Sequence, residues 1–194
     1  MTLDRIEAAE KLGSALNELV YGVEMAQNER NRAAAASFGI ARDHHGAIVF
    51  LLKQTFYSSS FALIRCLFEA YLRGLWLKHC ATDAQVKAHF GGANPPQTMI
   101  AEIEATPAFT AGVLSRIKKE SWITMCEYTH TGGRHLQRWQ TANTIEPNFE
   151  TAEIDECLNF ADLFAALAVL ELVQLDKSKN SGEAVLALMK QRWP

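Results

Sequence analysis

The chain has 194 residues, of which 48% are apolar and 21% charged, the balance of an ordinary folded domain rather than a disordered segment. Nineteen Lys and Arg stand against 22 Asp and Glu, a formal charge of −3, so no overall field draws it to nucleic acid or to a membrane. A chain this long buries roughly 70% of its unfolded surface without disulfides or metal, and its 5 Pro and 11 Gly exclude a collagen-like or low-complexity sequence.

From the N-terminus, acids fall within the first ten residues and no apolar run follows them, which predicts no secretory signal. A first helix is expected from Leu3 to about Gln27, with Ile6, Leu12, Leu16, Leu19, Val20 and Val23 near the 3.6-residue period. A second runs from about Asn31 to Gln54. Its Ile48–Leu52 patch alone fits a strand, but the helical flanks decide against one, and Gly39 and Gly46 weaken the helix without forbidding it. The third, about Ser58 to Cys80, is apolar nearly all round and therefore central. Thr82 or Asp83 caps a short helix to about Phe90, and Gly91-Gly92-Ala93-Asn94-Pro95-Pro96 breaks the chain.

Gln97 to Glu104 reads as another short helix. Thr106-Pro107 then gives an N-cap with proline at the first helical position, so a helix is expected from there to about Thr129, with an interruption near Ser121 and an end at Gly132-Gly133. Residues 139–150 read as a loop. Thr151 caps a long helix with Glu153, Asp155 and Glu156 in its first turn, ending near Asp176, and a last helix spans Glu183 to Arg192. The fold class is all-α: an up-and-down bundle of four to five long helices plus short ones, in a single domain over 1–194.

No apolar stretch reaches bilayer length; the longest, Phe164 to Leu175, is broken by Glu171 and Gln174. Cys66, Cys80, Cys126 and Cys157 never form a close pair, so a reduced, cytoplasmic protein with no disulfide, structural zinc or cofactor is expected. The helix Ile154–Leu175 is apolar on more than one face, which predicts a second subunit covering one of them, hence a homodimer.

Chemistry concentrates in two segments. On the third helix Ser58, Arg65, Glu69, Arg73 and His79 fall within a stripe roughly 120° wide at ~100° per residue. Charged groups on so apolar a helix are paired or line a cavity, and Arg65 and Glu69 at i,i+4 can pair with each other. They are expected to be largely buried. The second segment is Glu127-Tyr128-Thr129-His130-Thr131-Gly132-Gly133-Arg134. Its single Glu-x-x-His lacks the second such motif and extra glutamates of a di-iron site. Because the stripe needs polar partners, His130 is expected to meet Arg65 or Glu69. Glu127, Tyr128 and Arg134 are candidate ligand contacts.

Residues 116–138 are locally basic, with Trp122, Tyr128 and Trp139 beside the cations, a pattern that serves a phosphate backbone or a solvated helix face. Asp43-His44-His45 is a third polar cluster, but adjacent helical histidines point about 100° apart and do not readily share a metal. Arg73 and His79 fit an Arg-x(4–6)-His pattern, of which a sequence of this composition gives roughly one by chance.

The runs Ala62–Ala70, Trp76-Leu77 and Glu127–Gly132 resemble uncharacterised bacterial helical proteins in which an Arg-x-x-x-Glu helix precedes a Tyr-x-His segment. More distantly they resemble the HEPN (higher eukaryote and prokaryote nucleotide-binding) superfamily, over roughly residues 30–135. The resemblance implies a dimeric helical bundle that binds nucleotide or RNA in a toxin or antiphage role, with Arg73 and His79 as the pair of a metal-independent ribonuclease and Glu69 as the polar residue of their helix. Gly74 stands where those proteins place a polar residue, and Trp76 fills the middle of the motif; an inactive binding or dimerisation module fits the same residues. In a catalytic reading His130 or His79 is the acid or base, and Arg65 or Arg73 stabilises the phosphorane. Two other readings stay open: a non-enzymatic helical dimerisation module, and a metal-binding bundle using His44, Glu69, Glu127 and His130.

Overall fold

The computed structural model describes residues 2–25, 27–176 and 181–193. Among them 73% are helical and none is in a strand. There are five long helices, α1 (Thr2–Val20), α2 (Glu29–Lys53), α3 (Tyr57–His79), α6 (Val113–Thr129) and α8 (Thr151–Val173). Four short ones join them: α4 (Asp83–Phe90), α5 (Met99–Glu104), α7 (Gly133–Gln137) and α9 (Gly182–Arg192).

Helices α2 and α3 form the most extensive pair, and α8 lies against α1, α2 and α3. Apolar residues recur on all sides of α8, and Ala161, Ala165 and Ala168 are fully buried along it, small side chains that let neighbouring helices approach. Phe164 packs edge-on against Phe68 at 5.0 Å and Tyr71 at 5.2 Å, which seats α8 on α3. Helix α9 closes the far side of α8 and α1 through Val185. The chain's own helices bury Leu158, Phe164, Val169, Leu172, Val173 and Leu175 of the run Ile154–Leu175, while Phe160, Leu163, Leu167 and Leu170 form a half-buried stripe, the part of α8 left open for the expected second subunit.

The ends show where local signals hold. Thr82 and Gln85 form a reciprocal capping box on α4. Arg30, near the start of α2, donates to the Leu77 carbonyl at 3.0 Å, to the Ala81 carbonyl, and to Asp83 at 2.7 Å, satisfying carbonyls in and just after the last turn of α3. The α8 cap is Glu150 with Glu153, one residue before the expected Thr151. Helix α1 stops at Val20 rather than Gln27, because the chain turns at Tyr21-Gly22.

Thr106-Pro107 starts no helix. The Thr106 hydroxyl turns back to the Ile103 carbonyl at 2.7 Å and finishes α5, the competing use of a threonine hydroxyl. The next helix starts at Val113, where Glu104 accepts the exposed amide of Ser115 at 2.8 Å. It runs through Ser121 without a break. No helix among the described residues is long and apolar enough to cross a membrane.

Candidate functional site

One turn apart on α3, Arg65, Glu69 and Arg73 share a face. Glu69 accepts from Arg65 Nε at 2.7 Å with one oxygen and from Arg73 Nη2 at 3.0 Å with the other. Arg65 and Glu69 are largely but not fully buried, as expected, with 23% and 22% of their side chains exposed, and Arg73 is 40% exposed. Helix α6 covers this face only in part, so water reaches all three.

The C-terminal end of α6 closes the other side of the cluster. Thr129 donates to the Ala62 carbonyl at 3.2 Å, which pins that end to α3. His130 follows as the C-cap, and the next residue, Thr131, has φ 55°, a left-handed conformation costing a β-branched residue about 1–2 kcal/mol. Gly132 then donates to the Glu127 carbonyl at 2.7 Å, the return bond of a Schellman turn. Gly132 is required there: a Cβ would come within 2.9 Å of Glu127 Cα.

This turn presents the His130 ring to Arg65, whose Nη1 lies 2.8 Å from Nε2. A guanidinium only donates, so Nε2 is the acceptor and the ring's proton sits on Nδ1. Arg65 also lies 4.8 Å from the centre of the Trp122 ring, with Lys118 5.4 Å from the same ring. The expected meeting of His130 with the α3 stripe is therefore present, at the surface.

Other residues singled out from the sequence lie elsewhere. His79 belongs to a second ion cluster with Glu171, at 3.0 Å, where Lys78 also binds Glu171 at 2.7 Å. Arg73 pairs with Glu69, so Arg73 and His79 engage different partners and do not form a joint pair. Burial opposes ionisation of Glu171, but hydrogen bonds from His79 and Lys78, with their charges, outweigh it and hold its carboxyl below the usual range. His44, Glu69, Glu127 and His130 do not converge: no group of three or more His, Cys, Asp or Glu among the described residues could hold a metal. Glu127 instead pairs with Arg134 at 3.0 Å.

Tyr128, Glu127 and Arg134 border clefts that Arg65 does not line. Tyr128 and Arg134 line two adjoining clefts, one of about 260 Å³ between α3, α6 and α8 and one of about 340 Å³ toward α7. Burial raises the Tyr128 hydroxyl above its ordinary range, with the Glu153 charge adding to the effect and Arg138 opposing it. The candidate residues thus divide into a cationic surface cluster and a cleft.

Sequence reasoning missed a third polar group. His45 Nε2 lies 2.7 Å from Asp162, and Arg192 Nε binds the other Asp162 oxygen at 2.8 Å. A lone acid inside the apolar run of α8 was the available signal that a buried partner exists.

A family model described as a family of unknown function, DUF6988, matches residues 38–192. The match supports the uncharacterised helical part of the expectation and carries no link to the HEPN superfamily. No curated protein and no solved structure matches the chain.

Proposed function

The chain belongs to the DUF6988 family of unknown function, and we propose that it binds the phosphate groups of a nucleotide or an RNA strand through the Arg65 cluster. The observation that carries this reading is the posture of Arg65. Its Nε and Nη1 are held by Glu69 and His130, while Nη2 makes no hydrogen bond among the described residues. Glu69 and the turn at Thr131 hold the guanidinium in place, Arg73 lies one turn along α3, and Lys118 stands across Trp122.

Two properties favour an anionic ligand. Part-buried i,i+4 pairs that water still reaches are each worth about 0.3–0.5 kcal/mol, so exchanging Glu69 for a phosphate oxygen loses little, and the bidentate fork of arginine suits phosphate. The solvent face of α6 adds exposed Arg116, Lys118 and Lys119, and half-buried Trp122 offers an aromatic surface to a base. The proposal is binding rather than turnover, because the Nε2 lone pair a general base would use is taken by Arg65.

Fluorescence anisotropy of a labelled single-stranded RNA, with AMP as competitor, tests this over a salt series. Each phosphate-contacting arginine contributes about one unit to the slope of log K against log salt. Arg65→Gln and Arg73→Gln are expected to weaken binding at low salt and to flatten that slope. Binding that ignores salt, or that both variants retain in full, overturns the reading.

A further inference from the structure

We infer that the cleft between α3, α6 and α8 binds a small organic ammonium ion with an apolar body. The site is independent of the phosphate-binding reading: Arg65, Arg73, Trp122 and His130 do not line it. Its floor is Phe61, Ile64, Met125 and Phe160, an aromatic-rich space left open where three helices meet. At about 260 Å³ it falls just below the ~300–1,000 Å³ of pockets for drug-sized ligands, so the occupant is a small molecule.

The charges around the cleft select its sign. Glu153 is neutralised by Arg138 at 2.9 Å and Glu127 by Arg134 at 3.0 Å. Two lining carboxylates then remain without an ion pair among the described residues, Glu120 on α6 and Glu156 on α8. They stand on two different helices that wall the cleft, so a bound cation is offered two carboxylates. Aromatic ring faces carry negative quadrupole density and attract ammonium groups, whereas an anion would meet two like charges.

Phe61, Ile64, Met125 and Cys157 are buried beneath the opening, so an apolar ligand body rests on apolar side chains. Ser121 and Thr124 add hydroxyls on the α6 wall that can accept from an ammonium.

The experiment compares three probes of matched shape, phenethylamine, 2-phenylethanol and phenylacetate, by amide chemical-shift titration of the full chain. Phenethylamine is expected to shift the amides of Ser121, Thr124 and Tyr128 saturably at millimolar concentration, and the alcohol and the carboxylate are not. Exposed Glu120 and Glu156 can be replaced without risk to the core. The double variant Glu120→Gln/Glu156→Gln is expected to weaken the amine by about tenfold or more, as loss of a charge-assisted contact does.

Thr124→Trp, which fills the cleft and leaves its charge unchanged, is expected to abolish the amine's effect. Thr124→Trp, which changes no charge, should leave RNA and AMP binding as they are, so the two proposals fail separately. Equal responses to the three probes, no saturable shift with phenethylamine, or unchanged affinity in the double glutamine variant overturns the inference.

Discussion

His45 and Asp162, 117 residues apart in sequence, meet at 2.7 Å in the interior, where His45 is 2% and Asp162 0% exposed. A carboxylate only accepts, so the histidine donates from Nε2. With Arg192 on its second oxygen, Asp162 ties α2, α8 and α9 at one point. Such a group is costly to bury and more costly to break.

Asp162→Ala is therefore expected to cost about 3–5 kcal/mol, because it leaves a buried imidazole and a guanidinium without their acceptor. Asp162→Asn, which keeps the shape and one acceptor oxygen, should cost less. Urea unfolding at neutral pH measures both, and a loss below about 1 kcal/mol for the alanine variant, the range of an exposed pair, would show that the triad does not bind the three helices together.

The reasons some features were legible in the sequence, and others were not, are physical. The helices were readable because period, capping box and breaker are local: Thr82 and Gln85 sit three residues apart, and α8 carries apolar residues over its whole length. Thr106-Pro107 misled because a threonine hydroxyl can bond backward as well as forward, and proline suits a turn as well as a first helical position. The meeting of Arg65 with His130 followed from a need, since polar groups on an apolar helix require partners. Its depth did not follow, because exposure is set by how far α6 overlies α3. His45 and Asp162 were each visible, but nothing local pairs residues so far apart.

Glu69→Ala is expected to destabilise by only about 1 kcal/mol, the sum of two part-buried, water-accessible i,i+4 pairs at ~0.3–0.5 kcal/mol each. The same substitution in a fully buried pair would cost about 3–5 kcal/mol. Thermal and urea unfolding distinguish these values directly. A loss of the larger size would place Arg65 in a dry interior and remove the solvent access that phosphate binding needs.

Stability should also fall in acid through Glu171. Its carboxyl is held below the ordinary range in the folded state, burial notwithstanding, by hydrogen bonds from His79 and Lys78 and by their charges. The unfolded chain therefore takes up the proton first as pH falls. The contribution is complete above the ordinary glutamate range near ~4.3 and is lost as pH drops through the lowered folded value. Glu171→Gln should reduce neutral-pH stability by about 1–3 kcal/mol, the worth of charged hydrogen bonds, and flatten the acid limb of stability against pH. An acid limb as steep as that of the unmodified chain would count against this assignment.

Gly74, the residue after Arg73, shows why that position carries no polar side chain. A Cβ there would lie 2.4, 2.6 and 2.9 Å from ring atoms of Phe38, and Phe38 is fully buried, so the ring has no free space to enter. Helices α2 and α3 approach closely at this point because the glycine lets the ring lie against the α3 backbone. In an open helix interior Gly→Ala gains about 0.5–1 kcal/mol from the smaller entropy loss of alanine. Gly46 on α2, with nothing within 4 Å of an added Cβ, should show that gain. At Gly74 the clash opposes it, and overpacking a filled core costs typically about 1–3 kcal/mol. Gly74→Ala is thus expected to destabilise while Gly46→Ala stabilises. Phe38→Leu, itself destabilising, should make Gly74→Ala nearly neutral, a coupling that a double-mutant cycle reads from four unfolding curves. If Gly74→Ala stabilises like Gly46→Ala, or if the two Gly74 effects are the same with Phe38 and with Leu at position 38, the close packing of α2 on α3 at this residue is wrong.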